Sequence, residues 1–151
     1  MDVLSKIKQH FKQNRQEGLT GSVKKSVQSL NNQKKGAFAE EAALDFLRSK
    51  GLVLVARNYR TRAGEIDLIM RELDTLVFIE VRLRLPSIYA AAAETIIHRK
   101  QARIIKASQH YLQHYVADRA AQVPNCRFDV MASDGKGWQW IQSAFDFNLD
   151  S

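Results

Sequence analysis

The sequence predicts an α/β domain built on one central mixed β-sheet flanked by helices. Two stretches repeat apolar residues at helical spacing, one after Gly36 and one from Thr95 to Tyr115. Around them lie five short runs rich in β-branched and aliphatic residues. The resulting order of helix, three strands, helix, two strands suits one sheet covered by helices.

The N-terminal part stands apart from this pattern. Val3, Leu4, Ile7 and Phe11 fit a short amphipathic helix over residues 2–14, and Gln16 to Lys35 is rich in Ser, Asn, Gln, Gly and Lys, a linker composition. Met1 to Lys35 holds eight of the 23 Lys/Arg against Asp2 and Glu17, so almost all of the formal net charge of +7 belongs to this segment. A basic arm that touches nucleic acid phosphates and a merely solubilising tail are both compatible with it. The expected organisation is a basic, partly flexible extension over 1–34, a folded domain over 35–147 and a tail over 148–151.

Within the domain, Ala37, Phe38, Ala42, Ala43, Phe46 and Leu47 mark one helix face, which stops at Lys50-Gly51. Leu52 to Ala56 reads as a first strand, Ile66 to Met70 and Leu76 to Leu83 as the next two. Ile97, Ile104, Ile105, Ala107, Tyr111, Leu112 and Tyr115 form the stripe of the second helix. Arg127 to Ala132 and Trp138 to Ile141 close the sheet around the turn Ser133 to Gly137. The lone Cys126 cannot form an internal disulfide, and no apolar run has the length of a signal peptide core or a membrane span. A cytoplasmic protein without a membrane partner is expected.

The stretch GEIDLIMRELDTLVFIEVRLR, Gly64 to Arg84, places Glu65, Asp67 and Glu80 inside apolar strands. Buried carboxylates are costly unless paired, hydrogen-bonded or bound to a metal. Alternation sends Glu65 and Asp67 to one face, and Glu80 and Arg82 to one face. If the connection Arg71 to Asp74 closes a hairpin with Asp67 opposite Glu80 or Phe78, all four share a side; a slip of one residue separates them. Cross-strand Cβ atoms are roughly 5 Å apart. Two carboxylates at that distance repel one another and raise a pKa, a conflict that a divalent cation such as Mg2+ relieves. Each acid taken singly also fits a solvated strand face, as Glu40 and Glu41 fit a solvated helix face.

Other groups carry weaker signals. Arg99, Lys100, Arg103 and Lys106 recur at helical spacing and suit either phosphate contacts or a solvated basic face. His110 and His114 have zinc-helix spacing, but Tyr111 stands where such a motif has its glutamate. Trp138 and Trp140 share a strand face and suit base stacking or sheet-edge packing. Asp129 alternates with Phe128 and Val130, and its face is not fixed by the sequence.

Taken in order, Gly36-Ala-Phe-Ala-Glu40-Glu41-Ala42, Phe46-Leu47, Arg57-Asn58-Tyr59-Arg60, Gly64-Glu65-Ile66-Asp67-Leu68-Ile69, Phe78-Ile79-Glu80-Val81-Arg82, Lys100-Gln101-Ala102-Arg103, Arg127-Phe128-Asp129-Val130 and Ala144-Phe145 resemble the YraN family of uncharacterised bacterial proteins. The resemblance covers Lys35 to about Phe147. That family is similar to the PD-(D/E)xK nuclease superfamily, in particular to Holliday junction resolvases. The resemblance implies a restriction-endonuclease-like fold and a Mg2+- or Mn2+-dependent endonuclease acting on branched DNA in recombination or repair, with homodimerisation. It implies Asp67, Glu80 and Glu40 as metal ligands and Glu65 as an auxiliary acid; beside them Arg82 is expected in the catalytic set as a phosphate contact, and the helical spacing of Arg99, Lys100 and Arg103 suits them to meet nucleic acid.

Two departures stand out. Arg82 occupies the place of the motif lysine, and an arginine stays charged where a lysine can exchange a proton; Lys100 of the second helix fits either a source of an ammonium from another direction or an exposed helix charge. Ala39 stands where the family commonly has glycine before the helix glutamate. The alternatives are a catalytically inactive nucleic-acid-binding module of the same fold, and an interaction protein that docks through its N-terminal amphipathic segment.

Overall fold

The computed structural model describes residues 21–83, 90–119, 122–133 and 137–147, excepting the side chains of 21–24 and 90–97. The expected helix over residues 2–14, the turn residues 134–136 and the tail 148–151 lie outside the described residues. The architecture is α/β: a five-stranded mixed sheet flanked by two helices, consistent with a restriction-endonuclease-like fold.

Helix α1 spans Gly21–Ser49. Gly21 to Lys35, read from composition as a flexible linker, is therefore the first half of a helix, and the expected boundary at 34/35 falls inside it. Only the second half is packed: Ala39, Ala43, Leu44 and Leu47 are buried, whereas Leu30 is exposed. Extending a helix that is already nucleated requires no new nucleus, so the packed half can support a half that has no apolar stripe. The helix ends in a Schellman motif. Leu52 N–H bonds Leu47 O at 3.2 Å, Gly51 N–H bonds Arg48 O at 3.0 Å, and Gly51 takes φ 95°.

Strands β1 (Val53–Arg60), β2 (Glu65–Glu72) and β3 (Thr75–Leu83) form an antiparallel meander. Helix α2 (Ala90–Arg119) then crosses over to β4 (Asn125–Ser133), which pairs with β3 in parallel; β5 (Trp138–Phe145) returns antiparallel to β4. A parallel pair requires a crossover of this kind. The sheet order is β1-β2-β3-β4-β5, which makes β3 central. Leu76, Val77, Phe78 and Ile79 are all buried because α1 covers one side of β3 and α2 the other.

Two apolar layers result. Ala43, Leu44 and Leu47 of α1 pack on Leu68, Met70, Val77, Ile79 and Met131. Ile104, Ile105, Ala107 and Leu112 of α2 pack on Ile69, Phe78 and Phe128. Trp138 and Trp140 lie half-buried at the border of the α1 layer, so they are packing residues at the sheet edge. Among the described residues no helix is long and apolar enough to cross a membrane.

Candidate active site

Glu80 ends the buried run of β3 and is itself 1% exposed. The β2–β3 register pairs Leu68 with Ile79, Ile69 with Phe78 and Met70 with Val77. Continued by one residue, that register sets Asp67 opposite Glu80. The strand pairing stops there, and the Asp67 side chain takes over: its Oδ2 accepts the Val81 N–H at 2.8 Å. Ile66 joins the α2 layer together with Ile69, so strict alternation is broken at the start of β2, where the strands part.

Helix α2 delivers Lys100 to the same point. Its ammonium makes an ion pair with Glu80 Oε1, and Arg82 Nε lies 3.5 Å from that oxygen. These contacts are ionic; Glu80 Oε2 has no hydrogen-bond partner, and the site gathers the buried side-chain polar atoms that lack a well-formed hydrogen bond among the described residues. Buried polar atoms are nearly always satisfied, so such a concentration at one spot calls for a functional explanation.

The electrostatics agree with the geometry. Burial, and after it the Asp67 charge, push the Glu80 carboxyl up to about 7, against the pull of Lys100 and Arg82. Asp67 is also raised, chiefly by burial, while the Val81 N–H and Lys100 hold it down. Protonated Glu80 is within reach to donate to Asp67, which favours the Asp67 carboxylate. The pair therefore shares negative charge that it has little water to stabilise.

Glu40, on α1, is raised by burial and by the Asp67 charge, with the Asn58 side chain and Arg57 opposing. Glu65 is exposed, 3.6 Å from Arg60, and is felt by both Asp67 and Glu40. Among the described residues no three His, Cys, Asp or Glu side chains are grouped closely enough to hold a metal ion. Glu40 thus contributes to the field at Asp67 without closing a three-ligand set. Arg99 and Arg103 are exposed on α2, and neither forms an ion pair among the described residues. The structure therefore brings together Asp67, Glu80, Arg82 and Lys100, sets Glu40 and Glu65 at the border, and leaves Arg99 and Arg103 outside.

Asn58 has no role in the sequence reading, yet it adopts φ 52° within β1, between residues paired with Leu68 and Ile66. Asparagine tolerates this left-handed conformation better than most residues. Its carboxamide lies within reach of Glu40. The only sequence signal for it is its position in the Arg57-Asn58-Tyr59-Arg60 run.

Two other candidates resolve as structural. Asp129 is fully buried, and each of its oxygens accepts two hydrogen bonds: Arg127 Nε and Ser143 N–H on Oδ1, Arg127 guanidinium and Trp140 Nε1 on Oδ2. It fixes the irregularity between β4 and β5, where Ser143 has φ 48°. His110 and His114 stack with ring centroids 4.4 Å apart. Nδ1 of His110 meets Tyr59 Oη and Nδ1 of His114 meets the His110 carbonyl, and among the described residues no third ligand is grouped with the two rings.

A family model described as "Uncharacterised protein family UPF0102" matches residues 39–132. The chain belongs to the UPF0102 (YraN) family. The UPF0102 chain is 48% identical over 123 residues to a UPF0102 protein of Cupriavidus taiwanensis, covering 81% of this chain and 90% of that one. It is 46% identical over 111 residues to a relative from Aeromonas hydrophila (74% and 84% covered) and 47% over 116 residues to one from Legionella pneumophila strain Corby (76% and 96% covered). The matched segment of the UPF0102 chain contains Glu40, Asp67, Glu80, Arg82 and Lys100.

The strand opening presents the hard oxygens of Asp67 and Glu80, with the Lys100 ammonium seated on Glu80 Oε1 and an acidic neighbour that penalises the Glu80 charge. Asp67 and Glu80 are the residues that could hold Mg2+ or Mn2+, ions that take one or two protein carboxylates and complete their shell with water and phosphate.

Proposed function

We propose that this protein is a Mg2+- or Mn2+-dependent endonuclease acting on DNA, with branched DNA as its substrate and a homodimer as its working form. The observation that carries the reading is the buried Glu80 set across from Asp67, with Lys100 and Arg82 both brought to its Oε1 and its Oε2 left without a hydrogen bond. A cation held by Asp67 and Glu80 would supply Lewis-acid stabilisation of a phosphate oxygen.

The other roles belong to the chain. Asp67, fixed by the Val81 N–H, is held in one orientation. Arg82 keeps its charge and neutralises the phosphate without exchanging protons. Lys100 brings an ammonium from α2 to the carboxylate that the strand position 82 serves in the nuclease pattern. Glu40 and Glu65 add negative field and orient water at the border.

The test is cleavage of labelled four-way, duplex and single-stranded DNA with Mg2+, Mn2+ or neither. Metal-dependent cutting, abolished by Asp67→Asn and Glu80→Gln with DNA binding retained, is the expected result. Folded protein that cuts none of these substrates in either metal overturns the enzyme reading. The second reading, a binding module that has lost the chemistry, is favoured by one observation: the Lys100 ammonium already neutralises Glu80. It predicts salt-sensitive DNA binding indifferent to Mg2+ and to Asp67→Asn.

A further inference from the structure

Beside the carboxylates, the turn between β1 and β2 and one face of α2 enclose an open groove of about 600 Å³. Lys106, Gln109, His110 and Gln113 lie at successive helical spacings along one stripe, and Arg60 and Arg62 face them from the turn. Among the described residues no carboxylate lines it. Arg62 and Lys106 are exposed and form no ion pair among the described residues, and Arg60 has only its long contact with exposed Glu65.

The groove is held in shape. Thr61 closes the turn, its Oγ1 accepting the Ala63 and Gly64 N–H groups at 3.1 Å and its own N–H bonding Gly64 O at 2.8 Å. Gly64 is pressed on α2 so closely that an added Cβ would lie 2.2 Å from the Arg103 carbonyl oxygen. Glycine is the residue that permits this approach. Burial raises the Tyr59 phenol, which therefore stays protonated and can donate to His110 Nδ1 at 2.6 Å.

We infer that this groove is a phosphodiester-backbone site, which takes the strand leading away from the Asp67–Glu80 carboxylates. The turn runs directly into Glu65 and Asp67, while Lys100 and Lys106 lie six residues apart on α2, a rise of about 9 Å. Phosphates climb about 3.4 Å per nucleotide along one strand. The groove thus lies within a few nucleotides of the carboxylates along one backbone. The placement relative to the scissile bond rests on the proposed function; the binding itself does not.

The test is fluorescence anisotropy of a labelled duplex and a four-way junction at several salt concentrations in EDTA, with wild type, Arg62→Ala/Lys106→Ala, Gln113→Lys and Asp67→Asn. Both mutated cations are exposed and unpaired, so an unchanged melting temperature is expected. The double variant is expected to flatten the slope of log K against log salt by roughly two, at about 0.9 per phosphate contact. Gln113→Lys is expected to steepen it, and Asp67→Asn to leave the groove contribution intact. Unchanged slopes in both groove variants overturn the inference, as does loss of poly-glutamate binding in the double variant with DNA binding unaffected. If wild type cuts no DNA yet the slope flattens, the catalytic reading fails and the groove stands; cleavage with an unchanged slope removes the groove alone.

Discussion

Replacing Glu80 by glutamine keeps the size of the side chain and removes its ionisation. In the wild type the folded carboxyl titrates near 7 and the unfolded one near 4.5. Between those values the folded state holds the extra proton, so stability falls as pH rises from about 4.5 to 7 and levels off above. At about 1.4 kcal/mol per pKa unit, the site costs on the order of 3 kcal/mol once pH passes 7. Urea unfolding followed by Trp138 and Trp140 fluorescence, in EDTA across that window, isolates the contribution as the difference between the two proteins. Glu80→Gln should gain on wild type by that amount between the acid and the alkaline end. Parallel stability curves would refute the claim that Glu80 is ionised at a cost. Saturating Mg2+ should shrink the wild-type loss and leave the glutamine variant unmoved.

Further outcomes follow from other contacts. Lys100→Ala removes a charge that lowers the Glu80 pKa, so the carbon-detected NMR titration of that carboxyl should move further up. Asn58→Gly keeps the left-handed backbone but deletes the amide that lowers Glu40, so the Glu40 titration should rise while the melting temperature changes little. Gly64→Ala drives a methyl into the Arg103 carbonyl and should destabilise by about 1–3 kcal/mol or more in denaturant titration. Asp129→Ala leaves Arg127, Trp140 Nε1 and the Ser143 N–H without their acceptor and should cost about 3–5 kcal/mol by the same assay.

The β2–β3 hairpin was legible because alternation and a short polar connection leave few registers, and one of them sets Asp67 opposite Glu80. The stop at Gly51 was legible for a local reason, the need for positive φ at a helix end. The helical state of residues 21–35 was not, since Ser, Asn, Gln and Lys carry no apolar stripe and the helix there grows out of a packed neighbour. A local side-chain bond, Gln28 Nε2 to Asn32 Oδ1 at 3.3 Å, becomes available only once the helix exists. Lys100 reads either as a substitute for the motif lysine or as an exposed helix charge, and the crossover of α2, which no local pattern encodes, carries it to Glu80. The Asp129 clamp draws on Trp140 and Ser143 of another strand, a pairing no local pattern encodes.

Anomalous diffraction from crystals soaked in Mn2+ addresses the carboxylate pair most directly. The account predicts a peak bridging the side chains of Asp67 and Glu80, lost in Asp67→Asn crystals. Saturating Mn2+ that gives no peak between them, with Lys100 still seated on Glu80, would contradict it.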